Sequence, residues 1–211
     1  MNSISLVALT ASSLVTSGAS AAFAVYQQYE TWASSVNNGI LLPGGQPQTI
    51  ITENFNSYSG AYANPLVGTT GPITWTANAF SFDAGIQPSL YASNGWLSTG
   101  APDNALTFTF DPGVHAVGGN FFSRNAALEL QPALVAVYFA DSSSVQYVTS
   151  ATGFSGITSS TVAISYISVQ VYPAPAGVNY AAVDNLYFGV PSPGALALLS
   201  VAGLVGGRRR R

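Results

Sequence analysis

Residues 105–110 read Ala-Leu-Thr-Phe-Thr-Phe. In an extended chain Leu106, Phe108 and Phe110 fall on one side, and Ala105, Thr107 and Thr109 on the other. A period of two marks a strand with one buried face. Phenylalanine and threonine also suit a pleated, half-buried surface. Asp111-Pro112-Gly113 follows, and those residue types favour a turn. The stretch predicts a strand that gives three large side chains to a core, with the chain reversing after it.

The same pattern recurs outward from there. Ile50–Phe55 reads as a short strand, and Gly68–Ala79 carries Ile73 and Trp75 between turn signals at Pro65 and Gly71-Pro72. Ser89–Leu97 holds Asn94-Gly95, a hairpin-turn dipeptide. Val114–Ser123, Leu134–Ala140, Val145–Thr149 and Tyr180–Phe188 complete the set. In Val162–Tyr172, Val162 and Ile164 set one phase while Ile167, Val169 and Val171 set the other. That slip of one residue predicts a β-bulge near Tyr166.

Within the body only residues 26–37 read as helix. Tyr29, Trp32, Ala33 and Val36 recur at helical spacing, and Asn37-Asn38-Gly39 closes the segment. Such a helix would cover one end of a sheet. Roughly ten short strands separated by Gly and Pro turns predict an all-β fold: an antiparallel, jelly-roll-like β-sandwich with one short N-terminal helix.

Charge narrows the range of functions. Charged residues make up 6 % of the 211, against roughly 25 % in ordinary soluble domains. There is no lysine, and Arg124 is the one basic residue outside the last four positions. All eight acids lie upstream of those four arginines, so residues 25–189 carry one positive and eight negative charges, or −7. Such a surface does not bind nucleic acid through its phosphates. Cysteine is absent, which excludes thiolate catalysis and thiolate metal sites.

The two ends read as addresses. Residues 1–24 predict a secretory signal: an apolar stretch from Ile4 to Val15, then Ala19-Ser20-Ala21 and Ala22-Phe23-Ala24, both of the A-x-A type. Cleavage after Ala24 is the preferred reading, with Ala21 or Ala22 as alternatives. At the other end, Val190-Pro191-Ser192-Pro193 precedes an uncharged run from Gly194 to Gly207 and then Arg208, Arg209, Arg210 and Arg211. As a helix that run would be about 21 Å long, short against a hydrocarbon core of about 30 Å. The arginines form a membrane stop on the cytoplasmic side. The domain expectation is thus a signal peptide at 1–24, a β-sandwich at 25–189, and a tail at 190–211 with a C-terminal hydrophobic helix.

Val190, Pro191 and Pro193, the Ala195–Val205 run and the arginine cluster resemble a PEP-CTERM sorting signal. Ser192 stands where that motif usually carries glutamate. The resemblance implies an exosortase-type membrane transpeptidase as partner, and membrane anchoring through the tail helix before processing. It also implies delivery to the cell surface or extracellular matrix of a bacterium that exports polysaccharide. The body resembles the β-sandwich domains of such proteins in Thr52-Glu53-Asn54-Phe55, in Leu97-Ser98-Thr99 with Leu106–Phe110, in Val117-Gly118-Gly119-Asn120-Phe121-Phe122 and in Val183–Gly189. That likeness supports the sandwich fold more than a function, and the leading reading is a non-enzymatic structural or adhesive role. A carbohydrate-binding module contacting extracellular polysaccharide is the alternative, with a glycoside hydrolase behind both.

Candidate site residues are few. Glu53 is in phase with Ile51 and Phe55, and Asp184 with Ala182, Leu186 and Phe188, so both acids are expected to face the core. Buried carboxylates need compensation. A structural Ca²⁺ held by Glu53 and Asp184, a contact with Arg124, and hydrogen bonding at strand ends near water are three ways to supply it. A glycosidase would need two such carboxylates facing each other in a cleft. His115 is the one histidine and sits in a turn context, and Gly153-Phe154-Ser155-Gly156-Ile157 lacks the second glycine of a nucleophile elbow. Tyr58, Tyr62, Tyr91 and Trp96 fall in or near loops, where exposed rings could stack on sugars.

Overall fold

The computed structural model describes residues 22–82, 85, 87–150, 153–172 and 178–191. The expected signal up to Ala21, and the tail from Ser192 with its apolar run and arginines, lie outside the described residues. Chain order is β1 (Phe23–Tyr26), α1 (Tyr29–Asn37), a 3-10 turn at Pro43–Gly45, β2 (Gln48–Glu53), β3 (Gly60–Tyr62), β4 (Leu66–Thr70), β5 (Ile73–Phe80), β6 (Leu90–Ser93), β7 (Trp96–Thr99) and β8 (Ala105–Val114). Then come β9 (Ala116–Asn125), β10 (Leu130–Gln131), β11 (Ala133–Phe139), β12 (Ser144–Val148), β13 (Ser155–Ser159), β14 (Ile164–Val171) and β15 (Asn179–Pro191).

Two antiparallel sheets face each other. One runs β1-β13-β9-β15-β7-β6-β3, with β10 beside β9 and β2 beside β15. The other runs β12-β11-β14-β8-β5-β4. From β8 onward the chain passes back and forth between the sheets, as a jelly-roll-like sandwich requires. The inner faces meet in one large core that includes Trp75, Phe108, Phe121, Val183, Leu186 and Phe188.

The alternation of residues 105–110 holds, with Leu106 and Phe108 fully buried. The turn expected at Asp111-Pro112-Gly113 does not form. Thr109 pairs with Tyr166 and Val114 with Ile164, so Phe110–Gly113 bulge opposite Ser165 alone. A proline has no N–H for the ladder, and the strand accommodates it by bulging rather than ending. The register shift between Ile164 and Tyr166 recurs against β11, which is the slip expected near Tyr166. Asn94 and Gly95 take φ of 51° and 84° and join β6 to β7, as a tight hairpin demands.

Both expected domain edges fall inside strands. Phe23 and Ala24 pair with Ser159 and Thr158, Phe23 stacks on Phe139 with centroids 5.5 Å apart, and Ser160 donates to the carbonyl of Ala22. At the far end Val190 and Pro191 pair with Thr49 and Gln48. Strand pairing therefore extends from Phe23 to Pro191, two residues beyond each expected edge of the sandwich.

Helix α1 lies on the outer face of the nine-stranded sheet. Trp32 and Val36 are fully buried there with Phe154 and Ala116, against Tyr187. Trp32 Nε1–H donates to Ile157 O at 3.3 Å, and the Tyr26 and Ser35 hydroxyls meet at 2.7 Å. Beneath the ring, Gly156 and Gly118 are cross-strand partners. A Cβ on Gly156 would stand 2.6 Å from Trp32, and one on Gly118 would stand 2.5 Å from Phe154. The glycines at 118 and 156 thus make room for the helix. Strand β13 is buried on both faces, which removes the alternation that would have marked it in sequence.

Candidate functional site

The remainder of that outer face is open, and register fixes what it displays. Asp184 pairs with Trp96 and Asn120; Ala182 pairs with Ser98 and Phe122; Tyr180 pairs with Arg124. Tyr91 is opposite Ser98, and Leu130 opposite Arg124. Direct cross-strand partners project to the same side of a sheet. The open half therefore carries Tyr91, Trp96, Tyr180, Arg124, Asp184 and Asn120.

Ser98, Ala182 and Phe122 form a buried rank although they point outward. Arg124 crosses this rank to place its guanidinium carbon 4.4 Å from the centroid of Trp96. Tyr91 is 42 % exposed, with its ring centroid 6.0 Å from that of Trp96. Tyr180, Thr99, Gly100, Ala126 and Leu128 close a cleft of about 340 Å³ around this stack. The loop behind it is tight: Asn125 Nδ2 donates to Glu129 Oε2 at 2.7 Å, and the Glu129 amide to Asn125 Oδ1 at 2.9 Å. Arg124 Nη2 donates to Leu128 O at 3.4 Å, while its Nε–H is buried and meets no acceptor. Aromatic faces, a fixed guanidinium and side-chain hydroxyls and amides suit a ligand that is apolar on its faces and hydroxylated at its edges.

Two of the four expected aromatics are in this site. Tyr91 and Trp96 belong to it, whereas Tyr58 and Tyr62 pack against the core: Tyr58 lies 5.7 Å from Trp75 and 5.9 Å from Tyr62. Tyr180 and Arg124 were missed as ligand-facing residues. A period-two reading of 178–184 puts Tyr180 and Ala182 on one face, but only the sheet order shows which neighbours they meet.

The structure does not bring Glu53 and Asp184 together. Glu53 faces inward opposite Leu186, 9 % exposed. Its carboxylate accepts from the Phe55 amide at 2.8 Å and the Thr70 hydroxyl at 2.7 Å, and Thr70 in turn accepts from Trp75 Nε1–H at 3.1 Å. Its compensation is hydrogen bonding, not Arg124. Asp184 faces outward, because β15 shifts register between Asp184 and Leu186, where Asn185 takes φ of 55°. Ala181 and Val183 point inward before that bulge, and Leu186 and Phe188 after it. Desolvation raises the Asp184 pKa, and Asn185 donates to its carboxylate at 2.7 Å. Two carboxylates on opposite faces do not share a cation. Among the described residues no cluster of three or more His, Asp or Glu forms.

His115 lies at the crossover between the sheets, its Nδ1 3.1 Å from Ser159 O, with its pKa lowered chiefly by burial. Ser155 is a fully buried strand residue opposite Gly119, not the tip of an elbow.

No protein-family model and no curated protein sequence matches this chain. Among solved structures it is similar to variants of a family 29 carbohydrate-binding module. One has 12 % identity over 67 % of this chain and 92 % of that one, with a TM-score of 0.39. Another has 12 % identity over 66 % and 91 %, with a TM-score of 0.38. The CBM22-1 xylan-binding domain from Paenibacillus barcinonensis Xyn10C has 11 % identity over 70 % and 98 %, with a TM-score of 0.36. Likeness this distant carries no functional weight; the residues on the open face do.

Proposed function

We propose that this chain is a non-catalytic carbohydrate-binding module on an exported protein, and that its ligand lies on the open half of the nine-stranded sheet. One observation carries this reading: Tyr91, Trp96, Arg124 and Tyr180 converge on an accessible cleft of about 340 Å³. Rings held in place by the sheet give contact area at little entropic cost. The flanking hydroxyls, with Asn120 and Asp184, supply the hydrogen bonding that sugar edges need. The signal-like N-terminus and the PEP-CTERM-like tail support export and display at the cell surface or in a polysaccharide matrix, with an exosortase-type enzyme processing the tail. In that setting the adhesive role is the consequence of glycan binding.

The test is binding of the purified full chain to a panel of soluble oligosaccharides. Tyr91→Ala and Trp96→Ala should each weaken the best ligand at least tenfold, about 1.4 kcal/mol. A folded protein that binds no glycan, or binds equally well without both rings, refutes the proposal.

A further inference from the structure

Arg124 is the one basic side chain in a body of charge −7. Among the described residues no ion pair to it forms. Asp184 shares its face, and its carboxylate accepts from Asn185 Nδ2 at 2.7 Å. Glu129 is occupied by Asn125 and lies exposed in the loop. What holds Arg124 is the Trp96 ring at 4.4 Å and one long bond to Leu128 O at 3.4 Å.

A half-buried guanidinium without a counter-charge is costly. The guanidinium carbon lies 4.4 Å from the indole centroid, and a guanidinium held against a ring keeps N–H donors for in-plane bonding. Those donors match two anionic oxygens in a bidentate arrangement.

We infer that the cleft selects an anionic sugar, stacking its ring beside Tyr91 and Trp96 and reading its carboxylate or sulfate ester with Arg124. This rests on the carbohydrate reading above and narrows its ligand class. Asp184, the cross-strand partner of Trp96, shares this face, so the ligand's anionic group belongs at the Arg124 side of the platform.

The experiment titrates the full chain with three oligosaccharide sets at fixed ionic strength: oligogalacturonate, the same oligogalacturonate fully methyl-esterified, and a sulfated glucan beside its neutral parent. Free oligogalacturonate should bind at least tenfold tighter than the ester, which differs by the charge and its methyl cap. In Arg124→Gln that ratio should fall to near one, and Arg124→Lys should recover part of it. If sulfated glucan alone beats its parent, the anionic class stands with sulfate as its source. Neutral sugars binding as tightly as charged ones, or an acid preference that survives Arg124→Gln, overturns the inference and leaves the carbohydrate reading standing. Binding of no sugar at all overturns both. The ester comparison uses the unaltered chain, so the answer does not depend on any variant folding.

Discussion

Gly156→Ala tests how the outer face is divided between the helix and the open cleft. The added Cβ would stand 2.6 Å from Trp32 Cδ1 and 2.8 Å from both Trp32 Cγ and Phe154 Cζ. Carbon atoms prefer about 3.5–4.0 Å, so the indole must retreat by about 1 Å. That movement stretches the Trp32 Nε1–H bond to Ile157 O, already 3.3 Å long, past useful length. Overpacking of this kind costs about 1–3 kcal/mol, and the lost bond about 1 kcal/mol more. For a domain of this size each kcal/mol lowers Tm by roughly 2–4 °C, so a fall of about 5–15 °C is expected. Thermal unfolding followed by near-ultraviolet circular dichroism reads both the midpoint and the tryptophan environment. The companion is Trp32→Ala, itself costing about 3–5 kcal/mol. Once the indole is gone, most of the clash is gone, so the second substitution should add little and the double variant should be strongly non-additive. A Gly156→Ala midpoint within about 1 °C of the parent, or a simply additive double variant, refutes the reasoning.

Three further outcomes are expected. Gly95→Ala places a side chain at φ of 84° and 2.9 Å from Asn56 Oδ1; it should cost about 1–3 kcal/mol in denaturant titration and weaken glycan binding by disturbing Trp96. Burial lowers the His115 pKa, so the unfolded chain takes the proton first; stability is complete above pH 6.5 and is lost as pH falls below it. Urea midpoints between pH 7.5 and 5.5 should therefore decline, and His115→Gln should flatten the decline. Asp184, with its pKa raised by desolvation, acts in the opposite sense, so the His115→Gln comparison isolates the histidine's share. Mass spectrometry of the mature protein should find Ala22 as the first residue and no terminal arginines. A start at Val25 would mean that β1 loses Phe23 and Ala24, and an intact Arg208–Arg211 end would remove the sorting reading.

The fold was legible wherever one face of an element is wet. Residues 105–110, the β6–β7 hairpin and the Trp32–Val36 face of α1 all announce themselves because period two or 3.6 survives when water stays on one side. The 164–166 bulge was legible for the same reason, as a break in phase between two clear apolar runs. Strand β13 was not, since helix and core bury it from both sides. Strand β1 was hidden because its residues also satisfy a cleavage pattern.

The candidate site was half legible. Sequence picked Tyr91 and Trp96 by proximity to a turn, and picked Tyr58 and Tyr62 on the same ground, without a means to separate them. It also put Asp184 on the wrong face, because Asn185 at φ of 55° inserts an extra residue that period-two counting cannot see.

By itself the chain determined its all-β character, the helix ahead of the sandwich and the placement of nearly all its cations in the tail. Those are properties of composition and of spacing along one strand. Tertiary structure alone decided that Arg124 of β9 lies over Trp96 of β7, with Tyr180 of β15 alongside. Sheet order and register set such neighbours, and they depend on how strands far apart in sequence bury their inner faces together.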